Sequence, residues 1–175
     1  MSAHMPDFIN PVRAAEGKQS IAGQVAFARM TRLAGVVENR EASADVELAF
    51  AVDEQGVPHV RGQVRGEVVL ICQRCLESMT VPIHEELDLS IVGSDDAAKR
   101  LPERYDALEL NGATLSVAEL VEDEILLALP AIPRHEGEAC TAVKAAIPQK
   151  RHVNALPDES VANPFAVLVQ LKSKQ

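Results

Sequence analysis

Two cysteines three positions apart, Cys72 and Cys75, enclose Gln73 and Arg74 between two runs of alternating apolar residues. Thiols at that spacing on a tight turn can converge on one point, where they could grip a metal, exchange a disulfide or simply pack. A second soft-donor pair, His135 and Cys140, follows five positions apart. Zinc takes four nitrogen or sulfur ligands in a tetrahedron, so Cys72, Cys75, His135 and Cys140 form a candidate set for a structural zinc ion. The gap of sixty positions between Cys75 and His135 fits no standard finger. A free thiol also packs well as a small hydrophobe, so burial stays open beside metal binding. A redox thiol pair usually opens a helix whose dipole lowers a thiol pKa, whereas here both flanks read as strands. Three cysteines in all argue against a purely disulfide framework.

Other side chains could meet a partner. Arg61, Gln63 and Arg65 alternate, which places them on one face of a strand. Arg29 and Arg32 are i, i+3 neighbours, and Arg74 sits with Gln73 between the cysteines. Together they form a candidate binding stripe, set against the plainer reading of a solvated face with ordinary ion pairs. Glu119, Glu122, Asp123 and Glu124 could bind a metal or act as acid and base. Acidic residues in the first turns of a helix also complement its dipole, and the others read as solvated. His59 and His84 fall on strands with no visible partner. No GxSxG, HExxH or phosphate-loop motif is present, so no catalytic residue is assigned.

The elements that must position these residues can be read from periodicity. Pro11 to Lys18 suits a short helical turn, with proline early. Ile21 to Phe27 and Asp45 to Val52 alternate as strands, and Arg29 to Leu33 suits a brief helix. Asp53 to Gly56 is a turn, with Gly56 free to take positive φ. Pro58 to Cys72 and the return to about Val92 make a long antiparallel hairpin with the CxxC at its tip. Gly62 or Gly66 is expected to mark a bulge or bend. Gly93 to Glu103 reads as a surface loop and Tyr105 to Leu110 as a short strand. Ser116 and Glu119 form a capping box, opening a helix that runs from Val117 to Leu129 and stops at Pro130. The expected fold is α+β: a mainly antiparallel sheet around a long central hairpin, packed by one main helix in the C-terminal half and by short helices.

The chain has 175 residues, 47% of them hydrophobic, enough for one domain with a real core. Residues 1–5 read as a leading remnant, 6–135 as a single globular domain, 136–162 as a flexible segment and 163–175 as a docking element with a tail. Phe165 and Leu168 are the expected docking residues. No apolar run approaches the ~20 residues of a membrane span, and no membrane partner is expected. Without an export signal the expected compartment is the reducing cytoplasm. A net charge of −9 argues against whole-surface binding of nucleic acid and leaves room for a local basic stripe. Aromatics are 3% of the chain, so base-stacking platforms are scarce.

Read in order, Gly66-x-Val68-x-Leu70-x-Cys72-Gln73-Arg74-Cys75-Leu76, then Val121 to Pro130 (VEDEILLALP), then Pro133, His135 and Cys140, and finally Asn163-Pro164-Phe165-Ala166-Val167-Leu168 resemble the YceD family, the large ribosomal RNA subunit accumulation proteins. Pro11-Val12-Arg13 also fits, and the resemblance runs from about residue 6 to residue 173. It implies a cytoplasmic bacterial protein needed for synthesis, processing or stability of 23S ribosomal RNA, with no settled catalytic activity. The family's signature residues fall on Cys72, Gln73, Arg74, Cys75, Glu122, Asp123 and Glu124. The implied partner is 23S ribosomal RNA or its precursor, or a large-subunit ribosomal protein. The alternatives are an adaptor for a basic ribosomal protein without RNA contact, and a metal-dependent ribonuclease using Glu119, Glu122 or Asp123.

Overall fold

The computed structural model describes residues 5–140 apart from Arg104, Asn111, Glu138 and Ala139. In chain order it contains β1 (Phe8–Ile9), α1 (Pro11–Glu16), β2 (Ser20–Ala26), a 3-10 turn (Phe27–Arg29), α2 (Thr31–Ala34), β3 (Ser43–Val52), β4 (Pro58–Ile71), β5 (Ser78–Val92), α3 (Asp95–Ala98), β6 (Asp106–Glu109), β7 (Leu115–Ser116) and α4 (Val117–Ala128). The five-stranded sheet has the order β2-β3-β4-β5-β6. All its pairs are antiparallel except β5 with β6. A small antiparallel pair, β1 with β7, fastens the N-terminal residues beside the start of α4. These two-residue strands are too short to leave a period in the sequence.

Alternation decides which face of the sheet is dry. Ala44, Val46, Leu48 and Phe50 of β3, Val60, Val64, Val68 and Leu70 of β4, and Ile83, Leu87 and Ile91 of β5 are buried in one core. The same core takes in Val117, Leu120, Val121 and Ile125 from α4, Ala14 and Ala15 from α1, and Phe27, Met30 and Leu33 from the turn and α2. Each fully buried Val, Leu, Ile or Phe side chain stabilises the fold by roughly 1.5–3 kcal/mol, so the hairpin is held mainly by its inner face. Met5, expected to lie outside the fold, is also buried in this core.

The expected bulge in β4 is absent. Partners run without interruption from His59↔Ser90 to Ile71↔Ser78 and from Asp45↔Arg65 to Val52↔Pro58. The glycines occupy inner-face positions in strict alternation with the outward Arg61, Gln63 and Arg65. At Gly62 the reason is space: a Cβ there would fall 2.1 Å from the Glu47 carbonyl oxygen. Only glycine fits so close a backbone approach. The stretch from Gly93 to Glu103, expected as loop, contains α3, whose N–H at Ala97 is capped by the Ser94 hydroxyl at 3.2 Å.

Three local devices place the functional ends of the sheet. The far turn of the β3–β4 hairpin is pinned by Asp53, whose carboxylate accepts from the Gln55 and Val57 N–H groups and from the Tyr105 hydroxyl. Gly56 there takes φ +80°. Helix α4 starts where the Ser116 hydroxyl accepts from the Glu119 N–H at 3.3 Å. It ends at Leu129, which turns extended before Pro130 and sends the chain toward the tip of the β4–β5 hairpin. The chain divides into two units, Met1–Cys140 and Thr141–Gln175. The expectations for a flexible segment and a docking element beyond Cys140 lie outside the described residues.

Candidate metal centre at the hairpin tip

Strands β4 and β5 stop pairing at Ile71↔Ser78, leaving Cys72 to Glu77 to make the turn. The Cys72 N–H donates to the Glu77 carbonyl and the Leu76 N–H to the Cys72 carbonyl, both at 2.9 Å. Closing the loop this tightly puts Leu76 at φ +62°, in the left-handed region that a Cβ disfavours. The segment after α4 crosses this turn, and the Gln73 N–H donates to the Pro133 carbonyl at 2.8 Å. That crossing delivers His135 and Cys140 to the two tip thiols.

The four side chains meet. The ligand atoms of Cys72, Cys75, His135 and Cys140 all lie within 4.8 Å of one another. Cys72 Sγ is 3.6 Å from Cys140 Sγ, while His135 Nδ1 is 3.3 Å from Cys75 Sγ and 3.4 Å from Cys140 Sγ. Zinc–sulfur and zinc–nitrogen bonds of ordinary length give a tetrahedron with edges of about 3.8 Å between sulfurs and about 3.5 Å between sulfur and nitrogen. The close contacts match those edges, so the donor set fits one tetrahedral ion with little movement. Cys72 and Cys140 are buried, Cys75 is half-buried, and none is in a disulfide.

Electrostatics at the tip favour negative sulfur. Burial opposes ionisation of Cys72, yet the N–H groups of Cys75, His135 and Arg74 around its sulfur bring the thiol down to about 5. Burial and the neighbouring sulfurs of Cys72 and Cys140 push Cys75 the other way, to about 11, against the opposing Glu77 N–H. Burial opposes ionisation of Cys140, but the Arg74 guanidinium, Cys75 and His135 together outweigh it and lower the thiol. His135 is raised by the thiols of Cys140 and Cys72. Thiols that repel one another yet receive N–H donors are suited to a cation that draws a proton from each.

The remaining expected binding residues scatter. Arg74 is exposed, but its side chain folds back, and one terminal nitrogen donates to the carbonyls of His135 (3.3 Å) and Gly137 (3.1 Å). Gln73 is exposed at the tip, its amide donating weakly to the Ile71 carbonyl at 3.3 Å. On the outer sheet face Arg61 pairs with Asp88 at 2.8 Å and Gln63 donates to Glu47 at 2.6 Å. Arg65 lies between Asp45 and His84 in register and makes no ion pair among the described residues. Arg29 pairs with Asp7, and Arg32 with Glu122 and Asp123.

Glu122 departs most from the expected solvated helix acid. It is 3% exposed. One carboxylate oxygen accepts from the N–H groups of Arg32 (2.6 Å) and Leu33 (2.9 Å), which lie in the first turn of α2. The other oxygen accepts from Arg32 Nε at 3.0 Å and its terminal nitrogen at 2.9 Å. Residue 30, where a capping side chain would stand, is Met30 and cannot serve. A carboxylate from α4 caps α2 instead. Burial would raise the Glu122 pKa, but the Leu33 N–H and Arg32 outweigh it and hold the carboxyl below its usual range. Two tip residues escaped the sequence reading. Arg134, exposed beside His135, makes no ion pair among the described residues, and its position next to a ligand was a usable signal. Leu76 is 74% exposed in a strained conformation that no local pattern announces.

An α+β domain whose long hairpin gathers three thiols and an imidazole at its tip is the class that fold and site define. The profile of a family described as large ribosomal RNA subunit accumulation protein YceD matches residues 60–172. A Haemophilus influenzae protein described by the same words is 37% identical over 173 residues, covering 97% of each chain. The chain belongs to the YceD family. No solved structure matches it.

Proposed function

We propose that this chain is a noncatalytic, cytoplasmic ribosome-biogenesis factor that supports accumulation of 23S ribosomal RNA by binding the RNA or its precursor directly. The family's description supplies the RNA. The observation that carries the mode of action is the convergence of Cys72, Cys75, His135 and Cys140 on one point. Three thiolates with one imidazole is a donor set that suits zinc, which would lock the turn to the segment after α4 without taking part in chemistry.

A locked tip offers what unpaired RNA can use. The Gln73 amide can meet a base edge, the free guanidinium of Arg134 a phosphate, and the exposed Leu76 an unstacked base face. Beside them runs a groove of about 650 Å³ whose lining includes Met79, Val81, Ile132 and Arg134. Arg65 extends the cationic surface, whereas Arg29, Arg32 and Arg61 are occupied by acids of the chain itself. Catalysis by Glu119, Glu122 or Asp123 has little support, since Glu122 spends both oxygens on α2.

Protein purified without a tag should carry about one zinc per chain and retain precursor 23S RNA in a filter assay at physiological salt. Chelation should weaken that retention. A second reading is favoured by the net charge of −9 and by Glu85, Asp106, Asp123 and Glu124 lying close enough to repel one another. Such a surface suits a basic large-subunit ribosomal protein. Binding to those proteins with none to naked RNA would replace direct RNA contact by the adaptor.

A further inference from the structure

We infer that Arg74 is a positioning residue for the metal centre: its guanidinium bridges the His135 and Gly137 carbonyls and holds two of the four ligands, His135 and Cys140, against the hairpin tip. The inference rests on the metal reading above and changes what the central arginine of the CQRC turn does. The chain delivers its ligands in two pairs from distant segments. Cys72 and Cys75 are fixed by the hairpin's own hydrogen bonds. His135 and Cys140 belong to a segment that, among the described residues, has no helix or strand of its own after Ala128. Apart from contacts among the four donor side chains themselves, the described polar ties between the segments include the Gln73 N–H to the Pro133 carbonyl, the His135 N–H toward the Cys72 sulfur, and one terminal nitrogen of Arg74 to the carbonyls on either side of Glu136.

Charge argues the same way. A divalent ion with three thiolates and a neutral imidazole leaves one net negative charge, two positive against three negative. A half-buried anion needs a nearby cation or well-aimed donors. Arg74 is the cation bonded to the ligand segment, through the His135 and Gly137 carbonyls. Arg134 lies next to a ligand in sequence and makes no ion pair among the described residues. A terminal guanidinium nitrogen holds its two N–H donors in fixed, coplanar directions, so it can meet two carbonyls and carry charge at once, which a freely rotating ammonium does less well. Residues that orient metal ligands in this way typically change affinity by 10–100-fold when removed.

The test compares wild type with Arg74→Gln, Arg74→Lys and Arg65→Gln. Apo protein would be titrated with zinc against a chromogenic chelator and with cobalt(II), whose absorption reports tetrahedral thiolate coordination. Arg74→Gln should bind zinc about 10–100-fold more weakly, Arg74→Lys should fall between it and wild type, and Arg65→Gln should match wild type. Equal zinc affinity in all four proteins, with RNA retention lost in the Arg74 variants, would overturn the inference and make Arg74 a direct contact. Wild type that takes up no zinc or cobalt would overturn the metal centre itself, and the inference with it. Should Arg74→Gln not fold, the Arg74→Lys titration decides: affinity equal to wild type counts against the positioning role.

Discussion

At the junction of α2 and α4, four hydrogen bonds from Arg32 and Leu33 converge on the Glu122 carboxylate, and Asp123 takes the remaining reach of Arg32 at 2.7 Å. At the hairpin tip, four electron-pair donors converge mainly on one another. Both clusters join segments far apart in sequence, and both draw on backbone N–H groups. They differ in completeness. At the junction both carboxylates, Glu122 and Asp123, bond the Arg32 guanidinium within the chain. Among the described residues no buried side-chain nitrogen or oxygen lacks a partner. The tip gathers soft donors instead, and Arg74 offsets only part of their charge once the thiols ionise. A polar cluster that the chain completes is architecture, whereas one that is short of a cation is suited to binding one.

The sharpest way to break that contrast is to remove the cation. A ligand that binds only the folded state at a thousand times its Kd stabilises it by about 4 kcal/mol. Chelation should therefore lower the melting temperature of wild type markedly. Cys72→Ser should start near the chelated value and respond no further. The Glu122 junction should be indifferent, so a Glu122 variant should show the same chelator-induced drop as wild type. Thermal denaturation with and without chelator, beside elemental analysis, reads all three. Identical curves for chelated and untreated wild type would show that the two clusters are both purely architectural.

Next in size is the junction itself. Glu122→Ala removes a helix cap worth ~1 kcal/mol and charge-assisted bonds worth ~1.5–3 kcal/mol gross. Arg32 is half exposed and recovers solvent, so the expected net loss is about 2–3 kcal/mol in urea denaturation. The pH dependence carries a sign. The folded-state pKa of Glu122 lies below the model-compound 4.5, so its contribution is present above that pH and is lost as pH falls through the folded value. Wild type and Glu122→Gln should thus differ near neutrality and draw together in acid. A difference that stays constant across that range would show that the carboxylate's charge is not what caps α2.

The sheet was legible in the sequence wherever alternation was long. Val46, Leu48 and Phe50 declare their inner face two residues at a time, whereas β4 read as interrupted at its glycines. The glycines misled because period alone cannot tell a bulge from a close backbone approach, and Gly62 is the second. The cluster of Cys72, Cys75, His135 and Cys140 was legible from residue type, since soft donors in pairs are few in a chain with three cysteines. The behaviour of the charges was not. Glu122 and Glu124 sit two residues apart in the same acidic run, yet one faces the N–H groups of α2 and the other faces acids. Which neighbour a helix acid meets depends on packing between elements ninety residues apart, and no local pattern carries that information.

Glu124 gives the smallest effect and the cleanest test of that point. Burial and repulsion from Asp123, Glu85 and Asp106 raise its pKa. A carboxyl whose folded value is raised contributes stability below the model-compound 4.5 and loses it as pH climbs through the folded value. Glu124→Gln should therefore be close to neutral in acid and slightly stabilising at neutral pH, within about 0.5 kcal/mol. That is the opposite sign to Glu122→Gln on the same helix. The gain should shrink in molar salt, where repulsion between half-exposed charges is screened over a few ångströms. Parallel urea titrations of the two glutamine variants at acid and neutral pH measure the pair. Curves that shift in the same direction at neutral pH would mean that the acidic run behaves as one solvated face, and that the difference drawn between its two carboxylates is wrong.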